Sequence, residues 1–129
     1  MADKTSLSVG AAVRSRLMND AAVTAITKTV FPVYKDKAVL PYVFYRRSGF
    51  AQTAQKTFGD PCDTVLLELA CCAAAYGDSV KLAEAVRAAL DGAQWETDGL
   101  KVRSCGLADA DESWADDAYI QSLTFTIKL

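Results

Sequence analysis

The segment Thr64 to Ala74 reads Thr-Val-Leu-Leu-Glu-Leu-Ala-Cys-Cys-Ala-Ala, apolar at nearly every position. It is far shorter than the roughly 20 residues that cross a bilayer, and Glu68 interrupts it. As a strand it would be apolar on both faces, the mark of a central strand covered on each side. Other strands must then flank it. Tyr119 to Lys128 alternates as a half-buried strand does, with Tyr119, Gln121, Leu123, Phe125 and Ile127 toward a core. Ile120, Ser122, Thr124, Thr126 and Lys128 then point outward. Tyr42 to Arg47 is a third strand, with Val43, Tyr45 and Arg47 on one face and Tyr42, Phe44 and Arg46 on the other. Leu100 to Leu107 reads as a fourth.

Helices fit between these runs. Ser6 or Ser8 caps a first helix whose Val9, Val13 and Leu17 repeat every four residues. Asn19 or Asp20 caps a short second helix, Ala21 to Thr27. Phe31 to Tyr34 is extended, because proline disfavours helix in the residue before it. Lys35-Asp36-Lys37 is a charged turn, and Ser48 to Asp63, with Gly49, Gly59 and Pro61, is a long loop or hairpin arm. Asp78 or Ser79 caps a third helix with Val80, Ala83, Val86 and Leu90 as its stripe and Gly92 at its end. Strands in runs, without strict alternation with helices, indicate an α+β fold. The expectation is a single domain over residues 1–129, a mostly antiparallel sheet packed with an N-terminal helix and a central helix. A chain of 129 residues fits one such domain and needs no disulfide or metal to hold a core.

Much chemistry is excluded. The chain has no histidine, which removes Ser–His and Cys–His nucleophile pairs and HExxH zinc sites. Cys62, Cys71, Cys72 and Cys105 lack metal spacing and read as small core residues. Asp109, Asp111 and Ser113 match the first ligand positions of a calcium loop. The pattern then fails, because Trp114 replaces its glycine and Ile120 its bidentate glutamate. Residues 109–117 are therefore read as a solvated acidic loop. No catalytic residue, cofactor or metal is expected, and no apolar leader opens the sequence, which points to a cytosolic product with no membrane partner.

The formal charge of −2 hides a division. Residues 1–56 hold nine Lys/Arg against three Asp/Glu, net +6, and residues 57–129 hold five against thirteen, net −8. Either the two sets intermix on one surface, or the basic surface of one copy meets the acidic surface of the next. The second arrangement is head-to-tail and closes a ring or extends a filament. Its candidates are Lys35, Lys37, Arg46, Arg47 and Lys56 on the basic side, and Asp109, Asp111, Glu112, Asp116 and Asp117 on the acidic side. Phe50, Phe58 and Trp114, apolar residues in polar segments, would supply contact area.

The order of segments is also familiar. Leu17-Met18-Asn19-Asp20-Ala21-Ala22-Val23-Thr24-Ala25-Ile26 is followed by Val30-Phe31-Pro32-Val33, then Leu40-Pro41-Tyr42-Val43-Phe44-Tyr45, a helix, and the closing Leu123-Thr124-Phe125-Thr126-Ile127. This resembles the tail-completion family of long-tailed bacteriophages and prophages. The resemblance implies a structural, non-catalytic α+β subunit related to tail terminators and tail-to-head joining proteins. Such subunits form rings, often hexameric, at the head-proximal end of the tail tube, with the tube and the neck or connector proteins as partners. They work in the virion tail after assembly in the bacterial cytoplasm. The alternative is a monomeric cytosolic binding module that stacks single-stranded nucleic acid on the aromatic and basic strand Tyr42–Arg47. The acidic total charge speaks against specific nucleic-acid binding.

Overall fold

The structure, a computed structural model, describes residues 5–35, 37–53, 62–97 and 99–129. A 3-10 turn, Ser6–Ser8, leads into helices α1 (Val9–Met18) and α2 (Ala21–Ile26). Strands β1 (Val30–Pro32), β2 (Tyr42–Thr53) and β3 (Cys62–Ala73) precede helix α3 (Tyr76–Leu90). Then come β4 (Trp95–Thr97), β5 (Leu100–Val102), β6 (Ser104–Ala115) and β7 (Ala118–Lys128). Five strands form one sheet in the order β1-β2-β3-β7-β6, and β4 and β5 form a separate small hairpin. Among the described residues only the β1–β2 pair is parallel. This is the mostly antiparallel α+β fold that the sequence indicates.

The sheet is covered by helices on one face. There Val43, Val65, Leu67, Leu69, Cys71, Phe125 and Ile127 meet Val9, Val13 and Leu17 of α1 and Leu82, Val86 and Leu90 of α3, all essentially inaccessible to water. Each such aliphatic or aromatic side chain contributes about 1.5–3 kcal/mol by leaving water. Asp20 caps α2 as expected, its carboxylate accepting from the Val23 N–H at 3.0 Å. Gly92 adopts φ +78 just past α3, the left-handed conformation that favours glycine there.

Five expectations are corrected. β3 is the central strand, but its second face is covered only at one end, where Leu40, Tyr42, Phe44 and Ile120 pack around Ala70 and Cys72. Leu66 remains 37% exposed on that face. Helix α3 starts at Tyr76, because Ser79 is fully buried inside its first turn and donates to the Tyr76 carbonyl at 2.7 Å instead of capping from outside. Its buried stripe runs through Leu82 and Ala89, with Val80 only half-buried. The stretch 100–107 is divided at Arg103 between β5 and β6.

The largest correction concerns the acidic loop. Residues 109–115 belong to β6, paired with β7 from Asp109↔Thr124 to Ala115↔Ala118. Asp116 and Asp117 alone form the two-residue hairpin turn, at φ 52 and 62. Positive φ at both positions is the type I′ geometry, which Asp tolerates and which matches the twist of paired strands. Of the expected loop or hairpin arm Ser48 to Asp63, the described ends belong to β2 and β3 and pair as far as Thr53↔Cys62, and residues 54–61 lie outside the described residues.

Candidate assembly interface

Register decides which face each candidate side chain occupies, since residues directly opposite share a face. Arg46 pairs with Glu68 and Arg47 with the buried Leu67, so the two arginines stand on opposite faces. Arg46 lies on the open face and donates through Nε to Glu68 Oε1 at 2.9 Å. Arg47 lies on the helix-covered face, where its Nη1 donates to the Leu7 carbonyl at 3.1 Å. Phe50, opposite Val65, shares the helix-covered face and is 49% exposed. Lys35 and Lys37 are exposed beyond β1. Lys56 and Phe58 lie outside the described residues.

The acidic candidates divide in the same way. Asp109 and Asp111, opposite Thr124 and Ser122, are on the open face. Glu112 and Trp114, opposite Gln121 and Tyr119, are on the helix-covered face, and Glu112 lies at the N-terminal end of α3. All of these, with Asp116 and Asp117, are exposed. The fold therefore does not gather the eleven described candidates into one patch. It sets the basic ones toward the β1–β2 side of the sheet and the acidic ones on the β6 edge opposite.

Beside Trp114 lies a group that the sequence reading missed. Tyr76 Oη and Gln121 Nε2 both donate to Glu112 Oε2, at 2.9 and 3.0 Å. Tyr119 meets the Tyr76 ring edge-to-face, with centroids 5.8 Å apart. Tyr76, Glu112, Ser113, Trp114 and Tyr119 line a shallow groove of about 300 Å³. The hydrogen bonds from Gln121 and then Tyr76 hold the Glu112 carboxyl below its usual range. Gln121 was read correctly as facing the core side, but nothing in the sequence signalled that α3 would begin at Tyr76 and bring its ring here.

In the aromatic strand Tyr42–Arg47, Tyr42 and Phe44 are half-buried. Phe31 lies against Tyr42 and Phe44, with centroids 5.3 and 6.0 Å apart, and is itself buried. Tyr42 and Phe44 also pack on the small residues Ala70 and Cys72 of β3. The described thiols are withdrawn too, the Cys62 side chain lying outside the description: burial pushes Cys72 up to about 11, Cys105 up to about 12 and Cys71 further. Such thiols stay protonated and unreactive.

The family described as tail completion protein gp17 matches residues 11–128. Among solved structures, a chain of the virion of a native gene transfer agent particle is similar in fold, with a TM-score of 0.77 at 20% identity. The match covers 97% of this chain and 98% of that chain. No curated protein matches the sequence.

Proposed function

From the chain's membership of the tail completion protein gp17 family, which makes it a structural protein of a phage-type tail, we propose that it is a ring subunit at the head-proximal end of the tail tube. There it ends tube polymerisation and presents a surface to the neck. It acts by contact and carries no reaction.

One observation supports the ring: the described basic and acidic candidates stand toward opposite sides of one sheet. Copies joined basic side to acidic side make a heterologous contact, and a heterologous contact that closes gives a ring. Exposed ion pairs contribute only about 0–1 kcal/mol each, so charge selects partner and register while apolar contact supplies most of the affinity. Phe50 and Trp114, 49% and 58% exposed, are suited to that contact.

Deleting the gene from the particle's genome tests the role. Electron micrographs should show tubes of irregular, excessive length unattached to filled heads, and supplying the chain in trans should restore joined particles. Tails of normal length still joined to heads would overturn the proposal.

A further inference from the structure

Two of the long strands, β2 and β6, keep a stretch of open edge among the described residues. On β2, the Val43 N–H donates to the Thr29 carbonyl and the Tyr45 carbonyl accepts from the Val33 N–H, so β1 and its flanks occupy the outer edge only as far as Tyr45. From Arg47 to Thr53 no described backbone group bonds to that edge. On β6, the end of α3 reaches the outer edge through Gly92 N–H to the Cys105 carbonyl and Leu107 N–H to Asp91 Oδ1. Beyond that point the only described bond to an outer backbone group is local, from the Ala110 N–H to its neighbour's Asp109 Oδ1.

Hydrogen-bond alternation states which groups point out. The Ala115↔Ala118 pair closes the two-residue turn, so it bonds inward and Trp114, Glu112 and Ala110 bond outward. On β2 the outward series is Val43, Tyr45 and Arg47; after the register shift at Ser48 it resumes at Phe50 and Gln52. An unpaired backbone edge is a template for another strand.

Resting on the ring reading above, we infer that the joint between subunits is main-chain strand addition: β6 of one copy pairs antiparallel with β2 of the next, Phe50 opposite Glu112. Direction supports this. Along β2-β3-β7-β6 the strands alternate, so a second copy in the same orientation sets its β2 antiparallel to the first copy's β6 and continues the sheet. Parity supports it too, because Phe50 with Glu112 and Gln52 with Ala110 are all outward-bonding residues. Faces also agree, since Phe50, Glu112 and Trp114 share the helix-covered face. Phe50 then falls beside the groove of Trp114, Tyr119 and Tyr76, and Arg46 and Arg47 fall beside the Asp116-Asp117 turn.

The required offset is informative. Glu112 is level with Gln121, Cys71 and Val43 across the sheet, so bringing it opposite Phe50 slides each copy by about six residues, about 20 Å. Spread over four strands spaced about 4.8 Å apart, that slide tilts the strands by about 45° from the ring axis. Closed sheets tilt by about 35–45°.

Hydrogen exchange on the unmodified chain tests the joint. The amides of Phe50, Gln52, Glu112 and Trp114 should exchange at least about tenfold more slowly in the assembled species than in dilute monomer. Assembly with no added protection there overturns strand addition and leaves the ring standing. A chain that stays monomeric at high micromolar concentration, both alone and with tail tubes, overturns both. The register is tested by Ala51→Cys with Asp111→Cys, open-face residues opposite each other in this joint, in a Cys62→Ser background. Oxidation should give a covalent ladder of oligomers. Ala51→Cys with Glu112→Cys, on opposite faces, should not; equal ladders, or none, would overturn the assignment.

Discussion

Reversing Arg46 and Arg47 to glutamate separates assembly from folding, because the structure bounds what each arginine contributes within one subunit. The Arg46–Glu68 pair has side chains 53% and 31% exposed, so its loss costs at most about 1 kcal/mol. A glutamate opposite Glu68 adds a cross-strand repulsion of about 0.2–1 kcal/mol. Arg47 loses one exposed hydrogen bond to the Leu7 carbonyl, about 0.5–1 kcal/mol. The subunit is therefore weakened by about 1–3 kcal/mol and stays folded. At the joint, two cations become two anions beside Asp116 and Asp117, a change of about 1–3 kcal/mol per contact or about 5–150-fold in affinity. Sedimentation velocity of the double variant should show dissociation at concentrations where the parent assembles, while a thermal melt still shows one cooperative transition. High salt should shrink the difference, since exposed charges are screened over about 10 Å at 0.1 M. Asp116→Asn with Asp117→Asn removes the facing anions, keeps residues that tolerate positive φ, and should partly restore assembly. Assembly unchanged at low salt, or a loss that this neutralisation does not relieve, would refute the reasoning.

Three further outcomes follow from the core and its caps. Cys71→Ser places a hydroxyl at a fully buried position and should cost about 1–3 kcal/mol in denaturant titration; near-neutral behaviour would show that the site can hydrate. Asp20→Ala removes the side-chain cap of a six-residue helix and should cost about 0.5–2 kcal/mol, with Asp20→Asn largely sparing it. Stability should fall as pH rises from about 9 toward 12. The unfolded chain's thiols ionise there, while Cys72 and Cys105 are held up to about 11 and about 12, so the unfolded state binds fewer protons. Cys105→Ala should flatten that fall in melts taken from pH 8 to 11, and an unchanged slope would contradict the linkage.

The sequence carried the core clearly where one physical rule governed. The stripe Val9, Val13, Leu17 and the cap at Asp20 are local features of helices, and the alternation of Leu123, Phe125 and Ile127 is local to a strand. β6 was illegible for the opposite reason. Asp109, Asp111, Glu112 and Ser113 have poor strand propensity, and what makes them a strand is pairing with β7 through the Asp116-Asp117 turn. The same hidden strand turned an acidic loop into an acidic edge, the feature on which the head-to-tail joint depends. The groove of Tyr76, Glu112 and Tyr119 was hidden too, because it requires knowing that Ser79 sits inside α3, not before it.

Head-to-tail closure is tested most directly by the mass of the assembled species. Native mass spectrometry of the parent chain, alone and after incubation with tail tubes, should give one closed stoichiometry, with hexamer the expected count, that collapses when either charged edge is reversed. A symmetric dimer that survives reversal of both the β2 arginines and the β6 carboxylates would contradict the account.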